Sequence, residues 1–298
     1  MLFNEVAIDP ECILNEEVLS ILRYNFTWCQ GRLIADVPKN WRQNIYSQAN
    51  KLPDGHFKSQ IKSVINNNLP IIERDLKDAP SNDWKTLIEY TSKKRPYQAV
   101  VFSSHFDLQN RYHPDEFSDF IKNPQTDVGF YNLQNKKLTD VLDQLDPFLR
   151  INKRLVLINA YQMFFEKPDT RELFKALIIK WQLYGGIEFK VIRSKRTDVG
   201  FEKEKFENEF SKIESFLRQS KFKGKFLFIA VDDSRNRIHE RYLLGSYCGL
   251  QLGYGLELGP KPQTWQLLNE SSFRHHKKTY FDQDIRDLYP EHTTMLFS

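Results

Sequence analysis

Residues 225–259, KFLFIAVDDSRNRIHERYLLGSYCGLQLGYGLELG, decide how the rest of the chain is read. The run Phe226-Leu227-Phe228-Ile229-Ala230-Val231 is apolar without interruption and ends on Asp232 and Asp233. That is the pattern of a strand buried on both faces whose polar end reaches an edge of its sheet. Ser234-Arg235-Asn236 is turn chemistry. Arg237 to Leu244 and Gln251 to Leu258, separated by a glycine-containing break, then read as a hairpin. The stretch is thus expected to form three strands, with His239 on a central one.

The spacing around His239 resembles the phospholipase D superfamily motif, H-x-K-x4-D-x6-G-S-x-N. Counting from the histidine, the lysine place falls on Arg241, the aspartate place on Ser246 and the glycine on Gly253. The serine place falls on Tyr254 and the asparagine place on Leu256. Histidine, a cation and glycine are kept, while the other three are replaced. The HER followed by LGYGLE is also similar to the diverged phospholipase D-like domain at the C-terminus of MIT-domain proteins, a likeness that implies the fold without implying catalysis.

The resemblance implies a phosphodiester chemistry. In that superfamily an imidazole attacks the phosphorus, a second imidazole protonates the leaving oxygen, and cations neutralise the phosphate. His239 and Arg241 are the catalytic candidates it marks. One motif copy per chain implies a homodimer that completes the site across a two-fold axis. Arg241 offers a bidentate fork rather than a lysine point charge. Glu240 falls on the opposite strand face, which leaves Asp232, Asp233 or Glu257 to orient the histidine. Ser246, Gly253 and Gly255 are phosphate-binding candidates on the hairpin, joined by Arg193, Lys195 and Arg196 on a neighbouring strand end. The same RSKR stretch also reads as an ordinary solvated turn.

Outward from the motif, the chain alternates. Leu138, Val141, Leu142 and Leu145 keep helical spacing, and Arg154 to Tyr161 is a strand. Asp169 with Glu172 three residues on opens a helix in the manner of a capping box. Gly185-Gly186 closes that helix, Ile187 to Ser194 is a strand, and Phe206, Phe210, Ile213 and Leu217 line another helix. Strand, helix, strand, helix, strand and hairpin predict an α/β domain over 96–298 with a mixed sheet flanked by helices. It is preceded by a helix-rich N-terminal region over 1–95. There Lys39, Arg42, Lys93, Lys94 and Arg95 beside Trp41 and Tyr97 read either as a nucleic-acid-positioning patch or as solvated charge with packed aromatics.

The whole chain sets bounds. Its 298 residues suffice for one large domain or two modest ones, and 23 Phe, 13 Tyr and 5 Trp mark it as globular. Basic residues number 43 and acidic ones 39, so the formal charge of +4 excludes a histone-like global electrostatic footprint. Cys12, Cys29 and Cys248 have no zinc spacing, and no metal or other cofactor is expected. No apolar run approaches the roughly 20 residues of a membrane helix, and the N-terminus lacks a secretory pattern, so a cytoplasmic setting without membrane attachment is expected.

Two functions follow. The first is a metal-independent phosphodiesterase or nucleic-acid-binding protein, and analogy with diverged phospholipase D-like proteins implies a component of prokaryotic antiviral defence. The second is a catalytically inactive scaffold of the same fold that binds a protein partner such as an ATPase or helicase; the replaced Asp, Ser and Asn favour it.

Overall fold

The computed structural model describes residues 1–66, 69–103, 110–123, 128–160, 162–195, 202–233, 238, 240–289 and 291–298. The fold is α/β, built as two compact units, residues 3–128 and 129–298, each with its own sheet. Among the described residues no helix is long and apolar enough to cross a membrane.

The first unit alternates strand and helix: β1 (Asn4–Ile8), α1 (Glu16–Asn25), β2 (Arg32–Asp36), α2 (Trp41–Lys51), α3 (His56–Asn66), β3 (Ile71–Glu73), α4 (Trp84–Lys94), β4 (Ala99–Val101), β5 (Arg111–Tyr112) and α5 (Phe117–Lys122). Among the described residues its five strands are all parallel, in the order β3-β2-β1-β4-β5. Alternate strand residues feed two cores. Val6, Ile8, Ile34 and Val101 pack with Val18, Trp41, Ile61 and Phe117 on one face. Ala7, Ala35 and Val100 pack with Leu87 and Ile88 of α4 on the other. Side-chain caps start two of these helices: Asn15 accepts from the Glu17 and Val18 N–H groups at 2.8 and 3.1 Å, and Asp83 accepts from Thr86 N–H at 2.9 Å.

This unit is rich in helix, as expected, and its helices cover a parallel sheet; it extends past 95, because β4 hydrogen-bonds to β1 and β5 instead of joining the second sheet. β1 opens on Asn4 and Glu5, both buried, and Glu5 is tolerated there because Arg74 and Arg95 reach it at 2.5 and 2.8 Å. Of the aromatic and basic patch, Trp41 and Tyr97 are core residues and Arg95 pairs with Glu5, while Lys39, Lys93 and Lys94 are exposed, as the solvated-charge alternative has it.

The second unit runs β6 (Phe130–Asn132), α6 (Leu138–Ile151), β7 (Arg154–Ile158), α7 (Pro168–Leu183), β8 (Glu188–Ser194), α8 (Lys203–Gln219), β9 (Lys225–Val231), β10 (Tyr242–Leu244), β11 (Gly249–Gln251), β12 (Thr264–Leu267), α9 (Glu270–His276), a π-helical turn (Lys277–Asp282), α10 (Ile285–Leu288) and β13 (His292–Phe297). The sheet order is β13-β9-β8-β7-β10-β11-β12-β6. β7, β8 and β9 are parallel, and the remaining pairings are antiparallel. The expected mixed sheet flanked by helices is therefore present. Phe189, Phe226 and Phe228 of the sheet pack against Phe174 and Trp181 of α7 and Phe206 of α8, with Phe206 and Phe228 stacked at 4.4 Å.

The hairpin is shorter than its sequence suggests. Its strands are 242–244 and 249–251, and the glycines that follow belong to a turn. At α7 the expected capping box is absent: the N-cap is Lys167, which makes no side-chain cap, and its ammonium instead meets Glu257 at 2.8 Å.

Candidate functional site

β10 runs antiparallel to β7 with Tyr242 opposite Ile158, so Arg241 arrives at the C-terminal end of β7. The C-terminal ends of β8 and β9 share that edge, since Ile158 pairs with Ile192 and Ser194 with Val231. Arg193, Lys195, Asp232, Asp233, Arg241, Gly253, Gly255 and Glu257 accordingly belong to one edge of the sheet or to the turns beside it. In α/β sheets with parallel strands this is the edge at which ligands bind. Strand alternation further puts Arg193 and Arg241 on the same face, the one covered by α7 and α8, two strand spacings or about 10 Å apart.

Arg241 is tied to the glycine turn. Its Nη1 donates to Gly253 O at 3.1 Å, and Leu252 N–H donates back to Arg241 O at 2.8 Å. Gly253 and Gly255 have φ of +44° and +97°, backbone that favours glycine. At Gly255 a Cβ would lie 2.4 Å from Gln162 Oε1, so the chain passes here only because no side chain is present.

Gln162 fills that notch. Its Oε1 accepts from Leu256 N–H at 3.0 Å and from Asn159 Nδ2 at 2.7 Å, while its Nε2 donates to Leu256 O and Thr170 Oγ1, each at 3.2 Å. Asn159 and Thr170 are fully buried, so the network is shielded from solvent. None of these three residues stands out in the sequence. A glutamine carries no motif, and its importance arises from contact with a segment 94 positions away.

Arg193 is 3% exposed, with Nη1 against Met163 Sδ. Desolvation lowers its pKa from the ordinary arginine value, and the charges of Glu209 and Glu166 oppose that fall. Glu209, on α8, is buried beneath the same loop. Burial pushes its carboxyl above the usual range, against the pull of the N–H donors of Phe165 and Phe164 at 3.0 and 2.6 Å.

The other sequence candidates fall as follows. Asp233 is fully buried and accepts from Ile238 N–H at 2.8 Å, so it fixes the start of the connection toward β10. Asp232 is exposed, with its N–H bonded to Glu291 O. Both lie at the end of β9, three strand spacings from β10. Glu257 is engaged by Lys167. Lys195 is half-buried, and its N–H bonds to Val231 O. Ser246 is a correction. It sits in the tight turn joining β10 to β11, at the far end of the hairpin from Arg241, where Lys277 Nζ donates to its carbonyl at 2.8 Å. A two-stranded hairpin sends its turn and its open ends in opposite directions, so the motif spacing cannot bring Ser246 to Gly253. At the motif's serine and asparagine places, Tyr254 is exposed and Leu256 is buried. His239 and Arg196 lie outside the described residues.

The first unit has its own C-terminal strand edge, at the switch point between β1 and β4. The described polar groups there serve local structure. Asp9 accepts from Glu11 N–H, and Asp36 from Trp41 N–H at 2.8 Å. Burial raises the Cys12 thiol to a pKa of about 12. Among the described residues of the chain, no three His, Cys, Asp or Glu side chains come together as a metal site.

No family model matches this chain, and a search of curated proteins finds no relative.

Proposed function

We propose that the second unit is phospholipase D-like and binds nucleic-acid phosphodiesters at the edge formed by the ends of β7, β8 and β10. The observation that supports this most is the placement of two guanidinium groups, one buried and one half-exposed, on the same face of that edge. Of the two, the half-exposed Arg241 presents its fork to a phosphate at that edge, while Arg193, buried on the helix-covered side, contributes through its charge. On this reading Arg241 clamps the phosphate, Gly253 and Gly255 let the backbone come close, and His239 supplies the imidazole if cleavage occurs.

The test is binding of fluorescein-labelled 20-mers by anisotropy at fixed salt, together with hydrolysis of bis(4-nitrophenyl) phosphate in EDTA. Arg241→Ala is expected to weaken binding about tenfold, and His239→Ala to abolish any EDTA-resistant hydrolysis. Failure of the wild-type chain to bind any oligonucleotide at 50 mM salt, about the lower end of the usual range for phosphate contacts, sinks the proposal.

One observation favours the scaffold reading. Gln162 already occupies the notch at Gly255 and takes the Leu256 N–H, a donor that a phosphate would otherwise use. Oligonucleotide binding without hydrolysis in either wild type or His239→Ala would place the chain among the non-catalytic forms.

A further inference from the structure

Consecutive parallel strands β7, β8 and β9 are neighbours in the sheet, so right-handed crossovers set α7 and α8 side by side on one face. On their outer side the two helices leave an open groove of about 490 Å³. Its walls follow helical spacing. Arg171 and Lys175 are one turn apart on α7, while Lys212 with Phe216, and Ser211 with Ser215 and Gln219, repeat along α8. Phe165, from the loop before α7, closes one end.

Buried Glu209 of α8 attracts Lys212, and within the groove lining three cations share one carboxylate, Glu172. It meets Arg171 Nε at 3.3 Å and Lys175 Nζ at 4.0 Å. Lys175 lies over both aromatic rings, 5.6 Å from the Phe165 centroid and 5.7 Å from that of Phe216. Lys212 makes no hydrogen bond or ion pair among the described residues, and neither Nη of Arg171 does. Ser215 Oγ accepts from Gln219 Nε2 at 3.2 Å, which leaves its hydroxyl proton to donate elsewhere. An anion laid in the groove would engage the Lys212 ammonium and the Nη groups of Arg171.

We propose that this groove binds the backbone of single-stranded nucleic acid. Arg171 and Lys212 would hold successive phosphates, and the half-buried Phe165 would offer a ring for a base. Cations interleaved with an aromatic ring are the donor set that sequence-tolerant single-strand binding uses. The proposal stands apart from the β7–β10 edge, because it needs neither Arg241 nor any chemistry at the phosphorus.

The test measures anisotropy of labelled dT15 against the full chain over a salt series, for wild type, Arg171→Glu/Lys212→Glu, a charge-matched Lys203→Glu/Lys205→Glu control on the same α8, and Arg241→Ala. The groove variant is expected to bind at least about tenfold more weakly. The magnitude of its slope of log affinity against log salt should fall by about 1.4, the value for two lost phosphate contacts on a single strand. The control should keep the wild-type slope. Phe165→Leu, which keeps apolar bulk, is expected to lose affinity at unchanged slope. Equal losses in groove variant and control, equal affinity for duplex, or a loss confined to Arg241→Ala would each overturn the groove. A loss in the groove variant with none in Arg241→Ala would support the groove and count against the hairpin edge.

Discussion

Position 255 shows how much of the candidate site rests on an absent side chain. With φ at +97° and Gln162 Oε1 in the space a Cβ would take, Gly255→Ala combines backbone strain with a clash against a hydrogen-bonded amide. It is expected to lower the stability of the second unit by about 2 kcal/mol in urea denaturation, a range typical of strained backbone sites. Adding Gln162→Ala should return only part of that loss, since the backbone conformation still disfavours alanine. Complete recovery would show that the clash alone was responsible. The sequence marks Gly253 and Gly255 through motif spacing, and both do lie beside Arg241. Gln162, Asn159 and Thr170 could not be read in the same way, because a polar residue becomes structural only through partners distant along the chain.

Elements are held to one another by a few buried polar contacts, of which Asp146 on α6 is the clearest. Its carboxylate receives Arg150 Nε at 2.7 Å, Lys180 Nζ of α7 at 3.0 Å and the Tyr184 hydroxyl. Desolvation alone would raise its pKa, but the Tyr184 bond and the charges of Arg150 and Lys180 outweigh it and hold the group below the ordinary 3.8. A depressed folded-state value means that the charged form contributes stability above the unfolded pKa and loses it as the pH falls through the folded one. Asp146→Asn should thus cost about 2–3 kcal/mol near pH 7. The gap between mutant and wild type should close only as the medium is acidified below 3.8, readable as Tm against pH. A gap that stays constant down to the most acid sample would remove the carboxylate's charge from the explanation. The elements that the sequence makes plain, α6 to β9, are those with long apolar stripes or runs. The hairpin after them is set differently, because its three-residue strands carry too little pattern to fix their ends, and the alternating residues of its glycine turn mimic a strand. The three-residue β3 shares that weakness, whereas β4 lies within the apolar run that opens at Tyr97 and reads plainly as a strand.

At the level of the molecule, each unit carries its own sheet and core, with strand pairings kept within it. A domain so built can fold by itself. Residues 129–298 expressed alone are expected to show a cooperative urea transition and a far-UV spectrum of mixed helix and strand; a non-cooperative transition would contradict the division at 128. The alternation of strand and helix legible from 136 onward announced this unit. In the first, Phe3 to Ile8 and Gly31 to Val37 read as short strands, but the three-residue β3 and the two-residue β5 carry too little pattern to announce a whole sheet. In the second unit, the strand that completes the flank of β9 is β13, whose six residues pair along it from His292 with Val231 to Phe297 with Phe226. Roughly sixty residues separate the two along the chain, a long-range pairing of the kind that folds slowly. Until β13 is made, the apolar β9 is itself an edge of the sheet, and nascent chains are exposed to pairing along that strand; β13 then takes over the edge with a half-exposed strand.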